Sequence, residues 1–221
     1  GGMSFLGRRV REFCQDDNGT IWIGTEDKGL FRMDPESGQV RPWQGPARHK
    51  NVHGLFADGD WLWVGTFSEG LSRINLKTGK VVHYAKGDRG FPENNAFSIL
   101  RTSSGDLIIA MTVGAVVYDD RTDTFRAIPE LDGTFVYQVL ETSDGDLWFA
   151  TYADGLYRFE VSQGRWTRYK TSENPGDTGC VSSDNITSIF EDSSHRLWVT
   201  TLGGGFCRFH PEDETFTRFS S

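Results

Sequence analysis

Short apolar runs separated by turns rich in Gly, Asp, Asn, Ser and Pro recur along the whole chain. From Thr142 to Phe159, the pair Asp144-Gly145 opens the run Leu147-Trp148-Phe149. A second turn, Tyr152-Ala153-Asp154-Gly155, then leads into Leu156-Tyr157-Arg158-Phe159. Aromatic and branched side chains suit a pleated surface, and Asp-Gly suits a tight hairpin, so the pattern predicts two adjacent antiparallel strands. The arrangement occurs five times: Trp22-Ile23-Gly24-Thr25 before Gly29, Trp63-Val64-Gly65-Thr66 before Gly70, Ile108-Ile109-Ala110-Met111 before Gly114, the Trp148 copy before Gly155, and Trp198-Val199-Thr200-Thr201 before Gly205. Anchors at 22, 63, 108, 148 and 198 lie 41, 45, 40 and 50 residues apart. A period of this size predicts repeated four-stranded units.

Two further strands flank each centre. Those upstream are predicted over Val10 to Cys14, Val52 to Phe56, Ala96 to Leu100, Val136 to Leu140 and Ile186 to Phe190. Those downstream are predicted over Val40 to Trp43, Lys80 to Tyr84, Phe125 to Ile128, Arg165 to Tyr169 and Phe216 to Phe219. No segment carries the apolar spacing of a long amphipathic helix. The units therefore span about 10–43, 51–84, 95–128, 135–169 and 185–219 of one domain running from 10 to 219. Residues 1–9 read as an expression remnant and lead-in, with neither a signal peptide nor a membrane span expected.

Trp22, Trp63, Trp148 and Trp198, with Gly29, Gly70, Gly155 and Gly205, are the structural anchors of the repeat. The small residues Gly24, Gly65, Ala110, Ala150 and Thr200 are expected to let neighbouring sheets approach. Arg32, Arg73, Arg158 and Arg208 share one strand position and are expected to bridge to the next unit, with Glu141 or Glu191 as acceptor. Asp17-Asn18-Gly19 forms the first hairpin turn and, with Trp22, partly matches the Asp box of sialidase-like propellers, a structural turn.

The repeat resembles the two-component regulator propeller family, whose units read as an apolar strand ending Glu-Asp, a Gly turn, LWIGT, GLxRFD, and a final aromatic strand. Its best copies here are Ile186 to Phe219 and Thr20 to Gly38. Copy three departs most, with Ile108 for Trp, a shortened loop at Met111-Thr112-Val113-Gly114, and Tyr118 for the strand arginine. The resemblance implies an all-β propeller with five visible blades, either a closed five-bladed ring or a fragment of a seven-bladed one. It further implies a non-catalytic sensor region of a bacterial two-component receptor on the periplasmic or extracytoplasmic side, tuned to oligosaccharides and acting through receptor self-association as a dimer. The repeat also looks somewhat like that of streptogramin-lyase propellers.

The net charge of −8, with acids spread along the chain, excludes the basic stripe of a nucleic-acid surface. Cys14, Cys180 and Cys207 have no metal-ligand spacing, so neither a metal nor a cofactor is expected, and their disulfide state is left open. His49, His53, His83, His195 and His210 fall in different parts of the repeats without a nucleophile signature.

Function is then sought in loops. In a propeller, the turns after each second strand and the links between blades share one face. The first set offers Glu26, Phe67, Glu69, Tyr152 and Asp154; the second offers Arg48, His49 and Arg89, with the long 170–184 loop as either a flap or a solvated connection. Aromatic rings beside carboxylates fit an oligosaccharide ligand. A polysaccharide hydrolase or lyase and a pure protein-interaction scaffold are the alternatives, and no membrane contact by this segment is expected.

Overall fold

The computed structural model describes residues 9–45, 49–174 and 176–219. The described residues form five four-stranded antiparallel sheets, each taken up by four strands consecutive in the chain. Blade one holds β1 (Val10–Gln15), β2 (Ile21–Thr25), β3 (Gly29–Met33) and β4 (Val40–Pro42). Blade two holds β5 (Val52–Asp58), β6 (Trp61–Thr66), β7 (Leu71–Asn75) and β8 (Val81–Tyr84). Blade three holds β9 (Ala96–Arg101), β10 (Leu107–Met111), β11 (Gly114–Asp119) and β12 (Thr124–Ala127). Blade four holds β13 (Val136–Glu141), β14 (Leu147–Thr151), β15 (Leu156–Glu160) and β16 (Arg165–Tyr169), and blade five holds β17 (Ile186–Glu191), β18 (Leu197–Thr201), β19 (Gly205–His210) and β20 (Thr215–Phe219). The predicted flanking strands all form, with ends shifted by no more than two residues, the largest shift being β5, which runs on from Phe56 to Asp58. Two short 3-10 turns, Asp88–Gly90 and Pro129–Leu131, occupy links that the hydrophobic pattern left irregular.

These residues fall into two compact units. The first takes in the described residues up to Arg101, with Asp106–Ile109 and Val116–Arg126. The second takes in Thr102–Gly105, Ala110–Ala115 and the described residues from Ala127 on.

In the first unit the small residues of the second strands act as spacers. A Cβ on Gly24 would stand 2.5 Å from Val52 Cγ1, and one on Gly65 would stand 2.7 Å from the Ala96 carbonyl oxygen. Both neighbours belong to the next blade, so any side chain there forces the sheets apart. Gly70 also needs its left-handed φ of 84°, since a Cβ would meet the Tyr84 carbonyl at 2.3 Å.

The hairpin before the tryptophan shows what fixes the repeat, and in blade one Asp17-Asn18-Gly19 do form its turn. The working acid in blade one is Asp16, not Asp17. Its Oδ1 accepts the Asn18 and Thr20 N–H groups, and its Oδ2 accepts the Trp22 indole N–H at 2.8 Å. Asp192 does the same in blade five, taking Ser194 N–H, Arg196 N–H and, at 2.8 Å, the Trp198 indole. That indole is foremost in holding the Asp192 carboxyl well below the usual range. In blade two the residue facing the tryptophan is Phe56, so Asp58 stands at this position; its carboxylate accepts from Arg101, and the buried Trp63 Nε1 has no hydrogen-bond partner among the described residues.

The repeated arginines do reach the following blade, but not at the carboxylates expected. Arg73 meets Asp123 at 3.5 Å within the first unit. In the second, Arg158 holds Asp146 at 2.8 Å and Glu214 at 3.3 Å. Asp123 and Glu214 both lie in the turn before a fourth strand, with φ of 55°. Glu141 and Glu191 are taken up elsewhere, accepting the backbone N–H and hydroxyl of Ser103 and Ser143 in the preceding blade. All three cysteines are free thiols, and burial pushes Cys14 up to about 12.

Candidate functional site

A β-bulge interrupts the pairing of the first and second strands in blades one, two, four and five, between Val10 and Glu12, Val52 and Gly54, Val136 and Gln138, and Ile186 and Ser188. A bulge re-aims the extra side chain out of the regular alternation. The re-aimed residues are Arg11, His53, Tyr137 and Thr187. In three blades the re-aimed side chain meets the residue just past the second strand. Arg11 donates to Glu26 at 2.7 Å, His53 lies 6.1 Å from the Phe67 ring, and Tyr137 lies edge-on 6.2 Å from Tyr152. Glu26, Phe67 and Tyr152 were visible in the sequence as turn residues. Their partners were missed, because a bulge leaves no sequence signal beyond the strand itself.

In the first unit, Arg9 also lies 3.4 Å from Glu26, and these cations hold its carboxyl below the usual value. His53 stacks edge-on with Phe97 at 5.1 Å and shares a hydrogen bond with Asn51 Oδ1 at 2.9 Å. Partial burial, and then Arg11, push its imidazole below its ordinary pKa, with Glu26 opposing. His49 is buried, its Nε2 unpartnered, and its ring lies 6.2 Å from His83. Burial and then His83 lower its pKa, while Glu69 opposes. Glu69 itself accepts the Lys50 N–H at 2.9 Å, so this pair braces the link between blades. Arg89 is bound to Asp123, which also accepts the Tyr84 and Tyr118 hydroxyls. Arg48 lies outside the described residues.

The second unit concentrates aromatic surface. Phe135, Tyr137 and Tyr152 form a mutually contacting triad: Phe135 and Tyr137 are 4.4 Å apart, Phe135 and Tyr152 are 6.0 Å apart, and Tyr152 is 49% exposed. Strand β13 supplies Tyr137, and the turn after β14 supplies Tyr152, whose N–H bonds the Phe135 carbonyl at 2.9 Å. Beside it, Asp154 is fully engaged, accepting Tyr157 Oη at 2.6 Å and Arg168 Nη2 at 2.5 Å, with Lys170 Nζ at 3.5 Å. Tyr152 and Asp154 are thus neighbours in sequence with different employment. The 170–184 segment proves to be more than a solvated connection. Cys180 and Val181 are buried, the Thr178 carbonyl accepts the Phe216 N–H at 2.7 Å, and Arg218 binds the Asp177 and Cys180 carbonyls.

Sheets of four sequential strands, chained through five repeats, define the β-propeller class, and solved structures share that fold. One is an extracellular domain from B. thetaiotaomicron assigned to a hybrid two component system. It has 21% identity and a TM-score of 0.76, over 89% of this chain and 26% of that one. Another is a catalytically inactive variant of virginiamycin B lyase from Staphylococcus aureus crystallised with quinupristin, at 18% identity and TM-score 0.76, over 100% of this chain and 73% of that one. A third is PorZ, a surface component of the type-IX secretion system of Porphyromonas gingivalis, at 16% identity and TM-score 0.66, over 90% of this chain and 31% of that one. The chain thus spans about a quarter of the B. thetaiotaomicron domain. A comparison with curated protein sequences finds no match. At the level of sequence, residues 4–27, 130–153 and 180–203 match the family described as two component regulator propeller. Those three segments are what the chain shares with that family. Among the described residues, no helix is long and apolar enough to cross a membrane.

Proposed function

We propose that this chain is a non-catalytic sensor segment of a bacterial two-component receptor, lying on the extracytoplasmic side, and that it takes an oligosaccharide on the triad Phe135, Tyr137 and Tyr152. The observation that carries the reading is the triad itself, because three rings held together by a bulge and a turn offer an apolar platform with hydroxyls at its edge. The C–H face of a pyranose lies on such rings, and the Tyr137 and Tyr152 hydroxyls are suited to its own hydroxyls. The matched repeats support placing that platform in a regulator. The engagement of the Asp154 carboxylate by three donors favours binding over acid–base chemistry at this spot. Ligand docking would then bias the arrangement of a receptor dimer.

Isothermal titration against a panel of neutral oligosaccharides tests the reading. One sugar family binds, and Tyr152→Ala weakens it about tenfold or more, as loss of a contact ring does. Equal affinity in Tyr152→Ala and Tyr137→Ala would remove the triad from the account. Cleavage of the sugar during the titration would replace sensing by catalysis.

A further inference from the structure

The arginine of blade one stands apart from its counterparts. Arg73 and Arg158 are paired with acids, and Arg208, which has no acid among the described residues, meets His210. Arg32 has no hydrogen-bond or ion-pair partner among the described residues, and its side chain is exposed. The acids are missing for a reason legible in the repeat. Where Asp123 and Glu214 close the turns before the fourth strands of blades three and five, blade two has Gly79, with the same left-handed backbone at φ 73°. Where Asp146 precedes Trp148 by two positions, Thr20 precedes Trp22.

The strand opposite is also unlike the others. Arg32 pairs directly with Arg41, whereas the residues facing Arg73, Arg158 and Arg208 are Val82, Thr167 and Thr217. Two like charges at facing positions of a hairpin repel, and blade one alone sets that repulsion at this place. Both arginines line a concavity of about 470 Å³ together with Asn18, Gln39, Asp34 and Glu36. Arg41 donates to the Gln39 amide oxygen at 2.7 Å, and Asp34 Oδ1 accepts the Glu36 and Ser37 N–H groups, which leaves Arg32 as the cation without an acceptor.

We infer that this concavity is a binding site for an acidic saccharide, whose carboxylate takes the place of the acid that Arg32 lacks. A guanidinium pairs a carboxylate through two parallel hydrogen bonds. Asn18 and Gln39 supply donors and acceptors for hydroxyls, while Asp34 and Glu36 accept sugar O–H groups and repel a polyanion. The lining thus suits one negative charge among many hydroxyls. The site belongs wholly to blade one, and its failure or success is independent of the aromatic triad in the other unit.

The test is a two-dimensional amide NMR titration of the full chain with D-glucuronate, with D-glucose and inorganic sulfate as separate arms. Saturable shifts centred on Asn18, Arg32, Gln39 and Arg41 with glucuronate, weak or absent with glucose, and about tenfold weaker in Arg32→Gln, are the expected result. Arg41→Thr, which copies blades four and five, keeps the fold, raises the melting temperature and weakens glucuronate. No shifts at these amides would overturn the proposal, as would equal response to glucose. Sulfate shifting them as strongly as glucuronate would overturn the saccharide assignment.

Discussion

Blades four and five are the same repeat under different cover. In blade four, Trp148 is 2% exposed and Tyr169 is 5% exposed, under Phe209 and Phe216 of blade five at 4.9 Å and 5.2 Å from their rings. In blade five the corresponding face carries Trp198, Phe206 and Phe219. Trp198 is only half-buried, Phe206 is 41% exposed and Phe219 is 38% exposed. Yet the strands pair alike: Leu156 faces Tyr169 as Phe206 faces Phe219, and Trp148 faces Arg158 as Trp198 faces Arg208. The difference teaches that the conformation of a blade is set by its own turns and pairing. Its stability is set by the blade laid over it.

The largest effect expected from this difference is on the tryptophans. Trp148→Ala opens a cavity under blade five and costs about 3–5 kcal/mol, whereas Trp198→Ala costs about 1–2 kcal/mol, both read from urea midpoints. Equal costs would break the comparison. Next come the arginines. Arg158→Met strands the carboxylate of Asp146, whose side chain is 9% exposed, and costs about 3 kcal/mol. Arg208, whose described partner is His210, loses under about 1 kcal/mol on the same change. Thermal denaturation of the two variants side by side decides it.

The smallest effect separates the turns. Asp192 caps its hairpin as a carboxylate, while Thr142 holds the same place in blade four with its hydroxyl, donating to Asp144 Oδ1 at 2.7 Å. Because the Asp192 pKa is lower folded than unfolded, its stabilisation is fully present above about 3.9 and fades as pH falls through the folded value. The deficit of Asp192→Ala against the parent chain therefore narrows on acidification below that point, and that of Thr142→Val does not. Parallel pH dependence of the two deficits would show that the carboxylate does not hold the turn.

The repeat and its strands were legible because a hydrophobic period survives any single substitution: Ile108 replaces Trp in copy three and is 2% exposed all the same. The spacer residues were legible too, since Gly24 and Gly65 have no side chain to place. What pairs with what was not legible. Arg158 chooses Asp146 and Glu214 over Glu191, and Asp16 rather than Asp17 caps the turn, because one residue of register decides which carboxylate faces the indole. Tyr137 and Arg11 escaped notice, and His53 was seen only as a histidine without a nucleophile beside it, for a related reason. An alternating pattern describes a regular strand, and these residues owe their direction to a bulge.

The central claim is that ligand binding falls on the Phe135, Tyr137 and Tyr152 triad, and hydrogen–deuterium exchange with and without a bound neutral oligosaccharide tests it most directly. The account predicts slowed exchange confined to segments 134–138 and 151–155. Exchange unchanged there, with protection appearing elsewhere in the chain, would contradict it.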